Sequence, residues 1–324
     1  MSFAVIGEAL IDLIADEQGN YHPHLGGSPY SVAIGLARLG CSVSYLPPLS
    51  DDEFGQRLSI SLQNAGVRTP LPRRSRLPTS IALVSKDAQS QHSYRLYRQG
   101  VADKDITLAE IIANLPADLQ LLHTGSLALT PSQLPKIRDL LRLLRQRSVV
   151  VSMDINIRLG ASDDEATYLQ GVRSLLPLAD IVKASDEDLA ALEYASSPYA
   201  AAQLAYAEMG RGILLLTQGT DDTYLLSADT TLSHTPPKPE RLVDTVGAGD
   251  TFFAGFLAFL QQQECCQAQA MLQAIAQPKK FMGLTTLHHA LAFASAAAAL
   301  NVGQSGCVPP TQHEVEAFLN KRPK

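Results

Sequence analysis

Short apolar runs at residues 3–6, 119–124, 149–153, 180–183 and 212–217 alternate with longer segments of helical period almost throughout the chain. Runs this short and this uniformly apolar suit strands buried on both faces, and the segments between them are long enough for the crossovers that parallel neighbours need. The pattern predicts an α/β fold, with a central, mostly parallel sheet flanked by helices on both faces. With 324 residues and 46% hydrophobic content, the chain can bury one large core, and no repeat or low-complexity linker divides it. A single domain over residues 1–324 is therefore expected.

Helix ends are marked by their own chemistry. Ser28 followed by Pro29, with Gly40 further on, reads as a capped helix, and Thr130-Pro131 opens another that runs to about Arg147. Ser185-x-x-Asp188 and Thr311-x-x-Glu314 have the spacing of capping boxes. Two regions break the alternation: residues 12–25 and 79–98 read as extended, with 79–85 and 93–97 flanking a polar turn at 86–91. They are expected to form a small β-lid over the C-terminal edge of the sheet, where open α/β sheets bind ligands. Residues 261–286, rich in Gln and carrying Pro278-Lys279-Lys280, read as a surface insertion between two helices.

Composition excludes several classes. A net charge of −6 and a pI near 5.7 leave no basic footprint for nucleic acid, and the short run Arg73-Arg74-Ser75-Arg76 reads as a solvated loop. Glu8 and Asp12 interrupt the first apolar stretch, and the longest apolar run, 290–300, is about half a membrane span, so a soluble, cytoplasmic chain with no membrane partner is expected. Cys41, Cys265, Cys266 and Cys307 form neither a disulfide framework nor a Cys-x-x-Cys pair, and the histidines, His22, His24, His288 and His289 among them, read as surface or packing residues.

The chemistry concentrates in Asp244-Thr245-Val246-Gly247-Ala248-Gly249-Asp250-Thr251-Phe252, a small-residue turn leading into an apolar helix at 252–260. Free amides at a helix N-terminus, with the positive end of the helix dipole, can hold a phosphate or the charge that develops on it. Asp250 at the mouth of that helix can take a proton from an attacking hydroxyl while the amides of Gly247, Ala248 and Gly249 stabilise the transferring group. Seven specified residues at this spacing arise by chance on the order of 10⁻⁹ per starting point.

On these residues the chain resembles the ribokinase-like (PfkB) carbohydrate kinases, and the resemblance extends from Gly7 to about Pro310. It implies a ribokinase-like fold, ATP and Mg²⁺ as cofactors, a sugar as the second substrate, Asp250 as the base and the small residues before it as the anion hole. Gly26-Gly27-Ser28-Pro29 is similar to the family's Gly-Gly-x-Pro-x-Asn-x-Ala motif, with Ser31 at the Asn position, and implies a sugar pocket lined by Gly26, Gly27 and Ser31. Asp12, at the end of the first strand region, stands where relatives bind sugar hydroxyls. Asp154-Ile155-Asn156-Ile157-Arg158 resembles the Asp-x-Asn-x-Arg stretch of fructokinases and 2-keto-3-deoxygluconate kinases, which implies that Arg158 bridges sugar and phosphate. Tyr97 and Arg98 match a lid strand that turns an aromatic or Arg toward the substrate.

On the nucleotide side, Thr217-Gln218-Gly219 resembles a Thr-x-Gly-x-x-Gly loop whose second Gly is here Asp222. Gly306-Cys307 aligns with a Gly-Ala pair. Asp188 stands where relatives carry a Glu that orders water around Mg²⁺, and Asp244 with the Gly306 loop is where they hold a monovalent cation, so K⁺ is a further cofactor the resemblance allows. The implied function is an ATP-dependent sugar kinase, with fructose as the leading acceptor, then 2-keto-3-deoxygluconate, then ribose or a nucleoside. A degenerate sugar- or nucleotide-binding regulator is the non-enzyme alternative. A dinucleotide oxidoreductase lacks its Gly-x-Gly-x-x-Gly after the first strand. Pairing of lid edge strands offers a route to a homodimer.

Overall fold

The computed structural model describes residues 2–16, 18–86, 92–263 and 268–321. Their strands are, in chain order, β1 (Ser2–Val5), β2 (Leu10–Ala15), β3 (Tyr21–Gly26), β4 (Val43–Tyr45), β5 (Ser80–Lys86), β6 (His92–Tyr97), β7 (Leu119–Gly125), β8 (Val150–Asp154), β9 (Ile181–Ser185), β10 (Ile213–Thr217), β11 (Thr223–Ser227) and β12 (Thr231–His234). Eight of them form one sheet in the order β12-β11-β10-β9-β8-β7-β1-β4. It is parallel from β4 to β10, and β11 and β12 extend it as an antiparallel edge.

The uniformly apolar strands are buried on both sides, as the sequence pattern requires. Phe3 and Val5 of β1 join Leu121, Val150, Ile181 and Ile213 in one core, beneath the helices Ser28–Arg38, Ala248–Gln262, Leu284–Asn301 and Gln312–Asn320. Ala4 joins Leu122, Val151, Val182 and Leu214 in a second core, beneath Leu134–Gln146, Glu165–Arg173 and Pro198–Met209. The alternation of neighbours along each strand thus separates two apolar layers, one per face.

Residues 261–286 are not a surface insertion. They continue the Ala248–Gln262 helix and then form two short helices, Ala268–Ala276 and Pro278–Met282; Met271, Ala274 and Ile275 are buried, and Met271 and Ile275 belong to the first core. The Gln-rich composition hid an apolar stripe at helical spacing. Residues 264–267, including Cys265 and Cys266, lie outside the described residues. No helix among the described residues is long and apolar enough to cross a membrane.

The second sheet, in the order β3-β2-β5-β6, is the expected lid. Its central pair, β2 and β5, is parallel, and both outer pairs are antiparallel. The turn expected at 86–91 falls, apart from Lys86, outside the described residues. Where the chain leaves β6, Arg98 is buried: its guanidinium donates to Asp103 Oδ2 at 2.7 Å and to Ser80 Oγ at 2.8 Å. Arg73, expected in a solvated loop, donates to Glu110 and Asp105 at 2.8 and 3.0 Å and ties the approach to β5 onto the same region.

The Arg98–Asp103 pair has side-chain exposures of 7% and 4%, so removing one partner strands a buried charge. Arg98→Met is expected to cost about 3–5 kcal/mol of stability. Urea denaturation checks this, and an unchanged midpoint would refute the role.

Candidate active site

The helix Ala248–Gln262 is apolar on nearly every side, and Phe252, Phe253, Phe256, Leu257 and Leu260 are all buried. Its N-cap, Gly247, has φ of 73°, and a Cβ there would stand 2.2 Å from Cys307 Sγ, so only glycine fits. No side chain caps the helix. Of the amides expected to form the anion hole, that of Ala248 is already used, closing a turn onto Thr245 O at 3.2 Å. The first helical bond runs from Thr251 N–H to Gly247 O at 2.9 Å, so the amides of Gly249 and Asp250 precede it and belong to the helix mouth.

Two polar side chains hold this turn. Asp244 accepts from the Val246 amide at 3.0 Å and from the Gly306 amide at 2.9 Å. Asn301, fully buried, donates to Val246 O and accepts from the Val308 amide, both at 2.8 Å. Asn301 had no sequence signal beyond being a polar residue at the end of an Ala-rich run. Around the loop, Leu242, Val243, Val246 and Val308 are 66%, 42%, 37% and 39% exposed, an apolar surface of the kind that receives a ligand. Thr217 ends β10, and Gly219 lies in the turn that follows, with φ of 59°.

Ser28 is not the cap of its helix. That position is taken by Gly27, and the Ser28 hydroxyl instead donates to Asp250 Oδ1 at 2.7 Å while its amide donates to buried Glu8 at 3.2 Å. Asp250 is thus held at the mouth of its helix by a residue 222 positions earlier. Surrounding protein raises the Asp250 carboxyl above its ordinary range, and Ser28, Lys183 and Arg158 pull it back.

Asp12 lies on the lid, on the face shared with Leu10, which packs with Leu127 of the main body. Gly26 passes so close that a Cβ would stand 2.1 Å from Asp12 Oδ2. Burial lifts the Asp12 carboxyl to about 6, with Arg158 lowering it and Asp250 raising it, so these three groups share one electrostatic field. Arg158 is exposed on a loop in which Asn156 adopts φ of 38°, a left-handed conformation that Asn tolerates better than most residues. Ser31 is buried, with its side chain against the Cys307 thiol.

Two expected substrate residues are not brought to this cluster. In the lid register Asp12 pairs with Ala82 and Ala82 with Leu96, whereas Tyr97 pairs with Ile81; the pleat therefore sends Tyr97 to the lid face opposite Asp12. Arg98 is absorbed by Asp103 and Ser80.

Asp188 forms the expected capping box with Ser185 and is buried. Its oxygens accept from the Ser185 amide at 2.8 Å and the Ile157 amide at 2.7 Å, so it fastens the loop that carries Arg158. No cluster of three or more His, Cys, Asp or Glu among the described residues is suited to a metal. Behind the helix mouth, Lys183 donates to both oxygens of Asp154 at 2.9 Å, and the two side chains are 5% and 0% exposed. Sequence spacing showed both only as members of their stretches, because the pair spans adjacent strands β8 and β9.

The family model described as pfkB family carbohydrate kinase matches residues 2–314. A fructokinase of Rhizobium leguminosarum bv. trifolii is 33% identical over 261 residues, 79% of this chain and 78% of that protein. The crystal structure of a fructokinase from Xylella fastidiosa with bound ATP superposes with a TM-score of 0.85 at 26% identity, covering 99% of this chain and 98% of that one. A fructokinase from Vibrio cholerae O395, solved with fructose, ADP and calcium ion, gives 0.81 at 26% identity over 98% and 99%. These likenesses establish the ribokinase-like fold.

Gly26→Ala is expected to leave the fold intact, because the colliding atom is the tip of a side chain that can move, and to displace the Asp12 carboxylate. Acceptor KM should rise by about tenfold or more, roughly 1.4 kcal/mol, with ATP KM unchanged. Steady-state kinetics with each substrate varied in turn decides it.

Proposed function

The chain belongs to the pfkB family of carbohydrate kinases and is a sugar kinase, and we propose that it transfers the γ-phosphate of ATP to fructose, with Asp250 as the base. The observation that carries the reading is the Ser28–Asp250 bond, which holds a carboxylate beside the uncapped amides of Gly249 and Asp250. Asp250 accepts the proton of the acceptor hydroxyl as the oxygen's electron pair attacks the γ-phosphorus. The bond from phosphorus to the bridging oxygen breaks, and ADP carries away that electron pair. The helix-mouth amides stabilise the charge on the transferring group.

Asp12 accepts sugar hydroxyls from the lid side, and Arg158, whose planar fork suits paired oxygen contacts, lies near both carboxylates. Thr217, Gly219 and Gly306 take the nucleotide side, and the exposed apolar surface around Val246 and Val308 suits a nucleobase. Fructose is favoured by the Asp154-x-Asn156-x-Arg158 stretch and by the fructokinases among the relatives. Mg²⁺ would supply charge neutralisation on the β- and γ-phosphates. Among the described residues the carboxylates do not form a cage for it: Asp188 is committed to two amides, and Asp244, where K⁺ was expected, is committed to holding two loops together.

ADP production from Mg·ATP with fructose, 2-keto-3-deoxygluconate, ribose and nucleosides tests the acceptor. Turnover with another sugar in preference to fructose would overturn that part of the reading. Asp250→Asn is expected to lower kcat by about 10²–10⁴-fold with ATP binding nearly intact. Near-normal turnover in that variant would remove Asp250 as the base.

The Asp12 carboxyl, lifted to about 6, accepts hydroxyls fully only when ionised. Because the pKa is raised, ionisation is complete above that value and is lost as pH falls through it. Acceptor kcat/KM should therefore decline with falling pH through about 6, and Asp12→Asn should remove the Asp12 part of that decline and leave only the limb of Asp250 in a pH series.

A further inference from the structure

The buried pair of Lys183 and Asp154 is in a costly place. A buried ion pair rarely stabilises a fold more than apolar residues of the same size would. A cation close to a helix N-terminus also sits at the unfavourable end of the dipole. Yet Lys183 Nζ lies against the first turn of the Ala248–Gln262 helix: a methyl group on Gly249 would stand 3.3 Å from it. Both costs are offset when negative charge arrives at the helix mouth.

We propose that Lys183 is a positioning residue for phosphoryl transfer, supplying fixed positive charge to the anion hole and to Asp250 from beneath Gly249, with Asp154 holding the ammonium in place. The proposal rests on the reading of Asp250 as the base. Two of the three donors of the ammonium go to Asp154, which fixes its direction. The charged and titratable groups that face Asp250 are Asp12, Arg158, Lys183, Asp154 and the Cys307 thiol, together with its bonding partner Ser28. Those that face Lys183 are Asp154, Asp188, Asp250 and His123. His123 adds no competing charge, because burial and Lys183 push its imidazole down to about 3. Of the two cations near Asp250, Arg158 is on an exposed loop and Lys183 is buried, so the field of Lys183 is the less screened by solvent and salt.

The test is the pH dependence of kcat at saturating ATP and acceptor for the wild type, Lys183→Met, Asp154→Asn, Asp250→Asn and the double variant Lys183→Met/Asp154→Leu. Lys183→Met should move the acid limb upward by about one pH unit and lower the plateau about 10–10²-fold. Asp154→Asn, which removes the counter-charge and keeps the ammonium, should move the limb the other way. The double variant replaces the pair with apolar side chains, a change that buried pairs often tolerate, so it covers the case in which the single variants fail to fold. Its limb should also rise. A merely structural pair predicts lower melting temperatures with the acid limb unmoved in every folded variant, and that result overturns the proposal. Near-normal turnover in Asp250→Asn would instead overturn the base assignment on which it stands.

Discussion

A helix end can be placed no more accurately than the rest of the helix is held, and here ten residues, from Thr251 to Leu260, lie in the core with only Phe259 partly exposed. Each of the large apolar side chains among them contributes about 1.5–3 kcal/mol by leaving water, so the helix cannot slide or tilt without losing several such terms. Its N-terminus is thereby fixed beside Lys183 of β9. Asp244 and Asn301 hold the turn before it, and Ser28 holds Asp250 beside it. Asp250, the proposed base, and the amide donors therefore share one rigid element, a more accurate arrangement than two mobile loops would give.

Charge is distributed unevenly around that point. Asp12, Asp154, Asp188 and Asp250 crowd one region against two cations, Lys183 and Arg158, and the environments of the carboxylates divide their tasks. Asp188 spends its oxygens on backbone amides and acts as a brace. Asp154 spends both on Lys183. Asp12 and Asp250, raised by burial, retain the capacity to bind and release protons near the open side of the site. Four chemically identical groups are separated into a brace, a counter-ion and two carboxyls poised for the proposed roles of hydroxyl acceptor and base by what their oxygens already touch.

The central strands were legible because strands buried on both faces are apolar without interruption: runs at 119–124 and 212–217 emerge as Leu119–Gly125 and Ile213–Thr217. The lid was legible as extended chain, with β2, β3, β5 and β6 inside or within two residues of the expected segments. The short β4 and the edge strands β11 and β12 were not, since β4 is buried but only three residues long, and β11 and β12 are four or five residues of mixed exposure that carry little pattern. Side-chain direction was also hidden. One residue of register decides whether position 96 or 97 shares a lid face with Asp12, and nothing local encodes that choice. Ser28 had every local mark of a cap, yet its hydroxyl was taken by a partner 222 residues away. Lys183 and Asp154 meet only because β8 and β9 are neighbours.

The departures from the family pattern can be followed atom by atom. Asp222 replaces a glycine, but its backbone is not left-handed, so the side chain brings no strain and its carboxylate takes the Thr235 hydroxyl at 2.6 Å. Asp188, one methylene shorter than Glu, still reaches two amides. Ser31 is the consequential change. Its short side chain meets the thiol of Cys307, which itself stands where relatives carry Ala and whose sulfur occupies the space over Gly247. Ser31 and Cys307 therefore together fill the space between the Ser28–Arg38 helix and Gly247. The Cys307 thiol also faces Asp250, whose negative charge adds to burial in raising it. The two departures thus meet beside the helix mouth, while the Ser28–Asp250 bond is made without either side chain.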